Sequence, residues 1–223
     1  MDRGASIPSL SIFFDPSCPW AWTTSQWINE LARQGAVAPV WRPFSLLVLN
    51  ADRYEALSSP PALITSHAIG HKLLRIAAAI GVEDHNDVVW RYYMAIGSAI
   101  HHERGFRQMD QLSQLGSWLT TNGFPASLAD AITTRDFDQQ IIASTQEALT
   151  LAGEDVGTPI LAFEHHGQQV GFFGPVIARA PMKDDALRLW RAFQELASFP
   201  DLYEIKRAAR TIPNFGQGAT DGL

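Results

Sequence analysis

The sequence contains a single cysteine, Cys18, in 223 residues. One cysteine excludes an intramolecular disulfide, so the fold cannot depend on such a bond. This composition is typical of proteins that work in a reducing compartment. Cys18 is therefore either a small buried apolar residue or a reactive thiol.

Long apolar runs are also missing. No stretch approaches the roughly 20 apolar residues that a membrane-spanning helix needs. The apolar run from Leu10 to Phe14 is too short for a secretory signal, and Asp15 and Pro16 interrupt it at once. We therefore expect a cytoplasmic protein that has no membrane partner.

The chain has few charged residues, and its net charge is negative, which does not favour binding to nucleic acid. The net charge is −6, charged residues make up 18%, and no basic stripe runs along the chain. Nucleic-acid binding depends on cations that release counterions from phosphates, so we do not expect it. The sequence has no Gly-rich phosphate loop, so no nucleotide is expected either. Hydrophobic residues make up 46%, which is enough for a buried core.

The order of predicted elements indicates an α/β fold. Strand, helix and strand signals follow one another at Ser9–Asp15, Trp20–Arg33 and 37–49, which is typical of a parallel βαβ unit. Helical patterns then fill the chain to Gly153, and most of them end at a glycine. A hairpin and two helices follow, at Ile160–Glu164, Gln169–Phe173, Asp184–Ala197 and Leu202–Ala209. This order predicts a thioredoxin fold, a mixed central sheet flanked by helices, with an all-helical inserted subdomain. The expected boundaries are 8–60 and 154–212 for the thioredoxin-fold domain, 61–153 for the insertion, and 213–223 for a loose tail.

Cys18 lies at the junction of a strand, a short loop and a helix. Pro19 suits the first turn of a helix because its missing N–H is not needed there. Cys18 then becomes the N-cap, where free N–H groups and the positive end of the helix dipole favour a thiolate. Cysteines at such positions can have a lowered pKa. We therefore expect Cys18 to be a nucleophile that reacts near neutral pH.

A second candidate feature is Thr158-Pro159, directly before a predicted strand. The proline could simply begin the strand, or the Thr158–Pro159 peptide bond could be cis. The base rate of cis bonds alone favours trans. The context of the second half of a thioredoxin fold favours cis.

Four motifs carry a resemblance to the DsbA-like thioredoxin superfamily, and more specifically to its mycothiol-dependent nitroreductase branch. They are Phe14-Asp15-Pro16, Cys18-Pro19-Trp20, the stretch from Gly153 to Pro159, and Phe172-Phe173-Gly174-Pro175. That branch reduces substrates through a Cys-Pro-Trp-Cys centre and takes electrons from mycothiol. The resemblance implies that Cys18 is catalytic and that Thr158 and cis Pro159 bind the thiol substrate beside Pro19 and Trp20. The pair Ile100-His101 also resembles the branch, which implies that His101 lines the cleft.

The chain departs from this pattern at Ala21, where the family has its second cysteine. A disulfide within the motif is impossible, so only monothiol chemistry remains, with a second small-thiol molecule resolving the mixed disulfide. Whether Ala21 is natural or engineered stays open. No metal, flavin or tightly bound cofactor is implied, since the pair His67 and His71 lacks further ligands. Mycothiol or a similar small thiol is the expected cosubstrate.

Two rival functions remain. Kappa-class glutathione transferases and 2-hydroxychromene-2-carboxylate isomerases share the inserted architecture, and they hold a serine near the position of Cys18. The missing second cysteine favours this rival. The other is a non-catalytic thiol-binding protein that kept the fold. The oligomeric state stays open, with a homodimer among the options.

Overall fold

The structure is a computed structural model that describes residues 7–56, 59–81, 85–103, 111–165, 167–207, 211 and 213–215. Four strands form one sheet, and helices lie between and after them. The strands are β1 (Ser9–Phe14), β2 (Ala38–Pro43), β3 (Ile160–His165) and β4 (Gln168–Phe173). The helices are α1 (Pro19–Arg33), α2 (Leu46–Leu49), α3 (Ala51–Glu55), α4 (Pro61–Ile80), α5 (Asn86–His101), α6 (Leu112–Thr121), α7 (Asp138–Ala152) and α8 (Asp184–Ala197), with a 3-10 helix at Ala126–Ile132.

The sheet has the order β2-β1-β3-β4. Strand β1 is parallel to β2 and antiparallel to β3, and β3 is antiparallel to β4. Strands β1 and β3 are central, and their apolar residues, Leu10 and Ile12 to Phe14 in β1 and Ile160 to Phe163 in β3, are all buried, which suits a sheet covered on both faces. This topology confirms the predicted α/β thioredoxin fold.

The pairing of β1 with β3 positions the site. Phe13, near the end of β1, lies opposite Ile160, the first residue of β3. The loop that leaves β1 and the loop that enters β3 therefore meet at the same edge of the sheet. Those loops hold Cys18 and Pro159, 141 positions apart in the sequence.

Between β2 and β3 the described residues form helices and the turns that join them. Helices α4 and α7 end at Gly81 and Gly153, both with φ of 91°, the left-handed region that favours glycine. Gly105, the expected end of the second helix of this part, lies outside the described residues. Among the described helices, none is long and apolar enough to cross a membrane.

Two predicted elements were wrong. The chain leaves the strand at Pro43 rather than at Leu49, because Ser45 caps a helical turn by accepting a hydrogen bond from the N–H of Val48 at 3.2 Å. The chain from Leu202 to Arg207 is not helical. Residues 208 and 209, the rest of that predicted helix, lie outside the described residues.

Candidate active site

Cys18 is the N-cap of α1. Its Sγ accepts a hydrogen bond from the N–H of Ala21 at 3.4 Å, and Pro19 occupies the first turn. The N–H of Cys18 donates to the carbonyl oxygen of Asp15 at 2.9 Å, which closes the tight loop between β1 and α1. Strand end, turn and proline together place the sulfur at the start of the helix, as the sequence predicts.

The Thr158–Pro159 loop faces this sulfur. The Sγ–H of Cys18 donates to the carbonyl oxygen of Thr158 at 3.2 Å, and the Thr158–Pro159 peptide bond is cis. The Thr158 hydroxyl donates to the carbonyl oxygen of Phe13 at 2.6 Å, which ties the loop to β1. Two of the predicted site residues, Thr158 and Pro159, thus lie beside the predicted nucleophile.

The electrostatics of the thiol differ from the sequence-based expectation. Burial, and to a smaller extent the charge of Asp15, raises the pKa of Cys18 to about 12. Hydrogen bonds from the N–H groups of Ala21 and Trp20 lower the pKa but do not outweigh burial. The predicted lowering of the pKa was therefore wrong for the resting protein, because only 6% of Cys18 is exposed and a thiolate there loses its hydration. The resting residue is a thiol.

Pro19 and Trp20 flank the sulfur on the helix side. Both are half-buried, and Trp20 packs against the hydrophobic core. We call residues 15–18, between β1 and α1, the reactive loop. Ala21 follows and is fully buried. The position of the family's second cysteine therefore lies inside the protein, behind Cys18.

His101 supports the reactive loop rather than touching the sulfur. Its Nε2–H donates to the carbonyl oxygen of Pro16 at 3.0 Å, and its ring stacks on Trp22 at 5.7 Å between centroids. Burial lowers the pKa of His101 to about 4, so the ring is neutral at pH 7. The neighbouring His102 accepts a hydrogen bond from Trp22 Nε1 at 3.3 Å.

The chain returns to this corner near its end. The N–H of Asn214 donates to the carbonyl oxygen of Ala178 at 2.6 Å. The Phe215 ring lies 5.4 Å from His101 and 5.5 Å from His102, measured between ring centroids. Phe215 of the expected loose tail therefore lies against two histidines of the site, and residues 216–223 lie outside the described residues.

Asp15 is a member of the site that the sequence analysis noted only as part of a family motif, without a role. Its side chain is fully buried between the reactive loop and the start of α2. It accepts hydrogen bonds from Ser17 and from the N–H of Leu46. The pattern Asp-Pro-Ser after a strand could have signalled the bond to Ser17, because an aspartate often accepts from the N–H two residues on. Nothing local could have signalled the bond to Leu46.

A buried polar chain runs from the helical insertion toward the same loop. Asp138 accepts a bidentate pair of bonds from Arg75, at 2.6 and 2.9 Å, and faces His71 Nε2 at 3.1 Å. The other ring nitrogen of His71 lies 2.8 Å from the Ser45 hydroxyl. Burial lowers the pKa of His71, so the neutral ring donates to Asp138 and accepts from Ser45.

His67 does not join His71 in a metal site. The Tyr54 hydroxyl bonds to His67 Nδ1, whereas His71 uses both nitrogens in the chain just described. Within the described ranges, no group of three or more His, Cys, Asp or Glu side chains has the spacing to hold a metal ion.

A four-stranded sheet with an inserted set of helices, and a cysteine at a helix start beside a cis proline, defines a DsbA-like thioredoxin-fold protein. The chain belongs to the Rv2466c-like family, described as mycothiol-dependent nitroreductase Rv2466c, whose family model matches residues 17–207. It is 28% identical over 201 residues to the uncharacterized protein Rv2286c of Mycobacterium tuberculosis, a match that covers 90% of this chain and 82% of that protein.

Solved structures agree with this fold. The cytosolic disulfide reductase DsbM from Pseudomonas aeruginosa superposes with a TM-score of 0.54 at 16% identity, covering 84% of this chain and 99% of DsbM. A 2-hydroxychromene-2-carboxylate isomerase also superposes with a TM-score of 0.54, at 12% identity, covering 84% of this chain and 94% of the isomerase. Family and fold together support a thiol-dependent redox function.

Proposed function

We propose that the protein is a monothiol oxidoreductase that reduces mixed disulfides of a small thiol. The observation that carries this proposal is the position of the Cys18 sulfur, 3.2 Å from the carbonyl oxygen that precedes cis Pro159, with Ala21 in place of a second cysteine. A thiol that has no partner thiol in its chain can form a disulfide only with another molecule.

The reaction balances when one RS group comes from the substrate disulfide and a second comes from a free small thiol. The Cys18 sulfur attacks one sulfur of R–S–S–R′, a bond forms between Cys18 and RS, and R′S⁻ leaves and takes up the proton that Cys18 gives up. A thiolate of a second RSH then attacks the RS sulfur and forms R–S–S–R, and Cys18 recovers its proton. The R′S sulfur of the substrate is reduced to a thiol, and the one free RSH that is consumed is oxidised into R–S–S–R.

Thr158, Pro159, Pro19 and Trp20 bind the substrate in this proposal. The carbonyl oxygen of Thr158 accepts a hydrogen bond from the resting Cys18 thiol, so this side of the sulfur faces the cis-proline loop. A substrate sulfur bound to that loop would replace this hydrogen bond and lie next to Cys18. The half-buried Trp20, two positions after Cys18 at the start of α1, offers apolar surface to the substrate in this proposal. His101 contributes indirectly, because it holds the carbonyl of Pro16 in the same loop.

The small thiol in this proposal is mycothiol, which the description of the matched family names. We place the reaction in the cytoplasm, where such a thiol stays reduced. The helical segment 61–153 serves as an inserted subdomain that roofs the cleft and sets specificity, and 8–60 with 154–212 forms the thioredoxin-fold domain.

Intact mass spectrometry tests the proposal. Mixing the protein with oxidised mycothiol is expected to add one mycothiol to Cys18, and reduced mycothiol is expected to remove it. Cys18→Ser should form no adduct and show no turnover of mixed disulfides. In the matched variant Ala21→Cys, the adduct should give way to an internal disulfide that is 2 mass units lighter than the dithiol. Turnover that survives in Cys18→Ser would overturn the proposal.

One observation favours a second candidate, a transferase that activates the thiol of the cosubstrate. Cys18 is a thiol at rest, so it can donate a hydrogen bond to a bound thiolate instead of attacking. Assays with reduced thiol and an electrophile separate the two functions. Cys18→Ser keeps a hydroxyl donor and would stay active as a transferase, whereas the oxidoreductase loses all activity.

A further inference from the structure

The carboxylate of Asp15 holds the reactive loop from inside the protein. Oδ1 accepts from the N–H of Ser17 at 2.8 Å and from its hydroxyl at 2.6 Å, and Oδ2 accepts from the N–H of Leu46 at 2.8 Å. The carbonyl oxygen of Asp15 accepts from the N–H of Cys18. One residue thus connects the loop of the thiol to the start of α2, and all three donors to its carboxylate are neutral groups.

Helix α4 closes over this carboxylate at Gly70. A Cβ added to Gly70 would stand 2.4 Å from Asp15 Oδ1 and 2.8 Å from Ser17 Oγ, closer than real Cβ atoms come. The helix therefore reaches the loop only because residue 70 has no side chain. The carboxylate has no room to turn toward α4, and the charge it carries raises the pKa of the Cys18 thiol.

We propose that Asp15 is a positioning residue of Cys18: its carboxylate clamps the reactive loop, and its buried negative charge adds to the effect of burial in keeping the sulfur in the thiol form. The inference rests on the proposed function only in taking Cys18 as the reactive group. Two like charges close together in a buried site cannot both form cheaply, so the ionisations of Asp15 and Cys18 are coupled.

The pKa values of the surrounding groups leave Asp15 as the carboxyl that titrates here. Burial raises the pKa of Asp15 to about 6, although the hydrogen bonds from Ser17 and Leu46 lower it. Burial raises the pKa of Tyr54 on α3 and of Tyr93 on α5, so both phenols stay neutral. Gly70, the residue of α4 that packs against the Asp15 carboxylate, has no titratable side chain.

Three histidines complete the surroundings. Burial lowers the pKa of His71 on α4 and of His101 on α5, the latter to about 4. Burial also lowers the pKa of His102, which lies beyond Trp22. His102 therefore needs a control variant in any pH experiment near pH 6.

The pH profile of alkylation tests the coupling in the intact protein. Cys18 is the single cysteine, so mass spectrometry with uncharged N-ethylmaleimide reports on it alone. Coupled groups predict a rate that rises tenfold per pH unit below pH 5, flattens near pH 6 where Asp15 ionises, and then rises again. The flat interval measures the coupling, and an interval of about one unit corresponds to a tenfold change in thiolate population.

Variants identify the carboxyl. Asp15→Asn should abolish the flat interval and alkylate about tenfold faster than the wild type at pH 7, for a coupling of one unit. Ser17→Ala loses one bond to Asp15 but keeps its charge, and His102→Gln removes the imidazole, so both should keep the flat interval. Circular dichroism checks that each variant folds.

Several results would overturn the inference. One is a wild-type rate that rises tenfold per unit straight through pH 6. Another is a flat interval that persists in folded Asp15→Asn or disappears in His102→Gln. Where Asp15→Asn does not fold, the wild-type and His102→Gln profiles decide together. The measurement uses no substrate, so a failed profile with Cys18-dependent turnover intact rejects this inference alone, and the reverse result rejects the proposed function alone.

Discussion

The Thr158 hydroxyl donates to the carbonyl oxygen of Phe13 at 2.6 Å, across 145 positions of sequence. Both groups are buried, and the bond fixes the cis-proline loop against the strand that leads to Cys18. Because a buried carbonyl without a partner costs about 1–3 kcal/mol, the stability of the protein and the placement of this loop depend on the same bond.

Thr158→Val should therefore lower the free energy of unfolding by about 1–3 kcal/mol and slow adduct formation at Cys18. Valine keeps the shape but removes the donor. Thr158→Ser, which keeps the hydroxyl, should retain most of the stability. Urea unfolding measures both variants, and equal losses in the two would show that the methyl group matters rather than the bond.

Gly70→Ala should destabilise the protein by about 1–3 kcal/mol, because the new Cβ would meet the side chains of Asp15 and Ser17 in a site without space. Gly116 on α6 is the matched control. A Cβ there has only ordinary contacts, the nearest at 3.7 Å, so Gly116→Ala should stabilise by up to about 1 kcal/mol through helix propensity. Thermal unfolding compares the two, and a stabilised Gly70→Ala would contradict the packing described here.

Tyr93→Phe should leave the stability unchanged or raise it. Among the described residues the buried Tyr93 hydroxyl makes no hydrogen bond of good geometry, and only the Ser25 side chain lies near enough to lower its pKa, so its removal costs little or relieves a cost of up to about 1–3 kcal/mol. The adjacent Tyr92 donates to the carbonyl oxygen of Leu73 at 3.0 Å, so Tyr92→Phe should lower stability by about 1 kcal/mol. Denaturant midpoints of the pair decide, and the opposite order would refute the assignment.

His101→Gln should change the pH dependence of stability. The pKa of His101 is about 4 in the folded protein and near 6.5 when unfolded, so the unfolded state binds the proton first as the pH falls. The wild type then loses stability between pH 6.5 and 4, on the order of 3 kcal/mol. Glutamine has no such titration, and its amide can still donate to the carbonyl of Pro16. Asp15 titrates in both proteins, so its effect cancels when the free energy of unfolding of His101→Gln is subtracted from that of the wild type. This difference should fall as the pH falls from 6.5 to 4. It would stay constant if His101 were exposed.

Local patterns in the sequence were enough to predict much of the fold. Helix α8 was predicted at Asp184–Ala197, its observed bounds, because its apolar spacing and acidic first turn are local signals. Strand β2 was predicted too long because Leu46 to Leu49 are apolar in either conformation, and Ser45, not hydrophobicity, decides that a helix begins there.

Only some contacts of the site could be predicted from the sequence. Cys18 at a helix start follows from Pro19 and the preceding strand, which are its sequence neighbours. The hydrogen bond from Leu46 to Asp15 and the packing of Gly70 against Asp15 could not be predicted, because these partners lie 31 and 55 positions away in the sequence. Likewise, nothing near His71 in the sequence indicates Asp138 as its partner.

The sequence by itself determined that the chain has one thiol, Cys18, and that this residue begins a helix, because the cysteine count, the proline and the end of the strand can be read from the sequence. Only the tertiary structure decided how that thiol behaves. Helix dipole and N–H groups act within one turn and favour a thiolate, but burial by distant segments and the charge of Asp15 raise the pKa of Cys18 to about 12. Desolvation depends on everything that packs around an atom, and that is a property of the folded chain rather than of any short stretch of it.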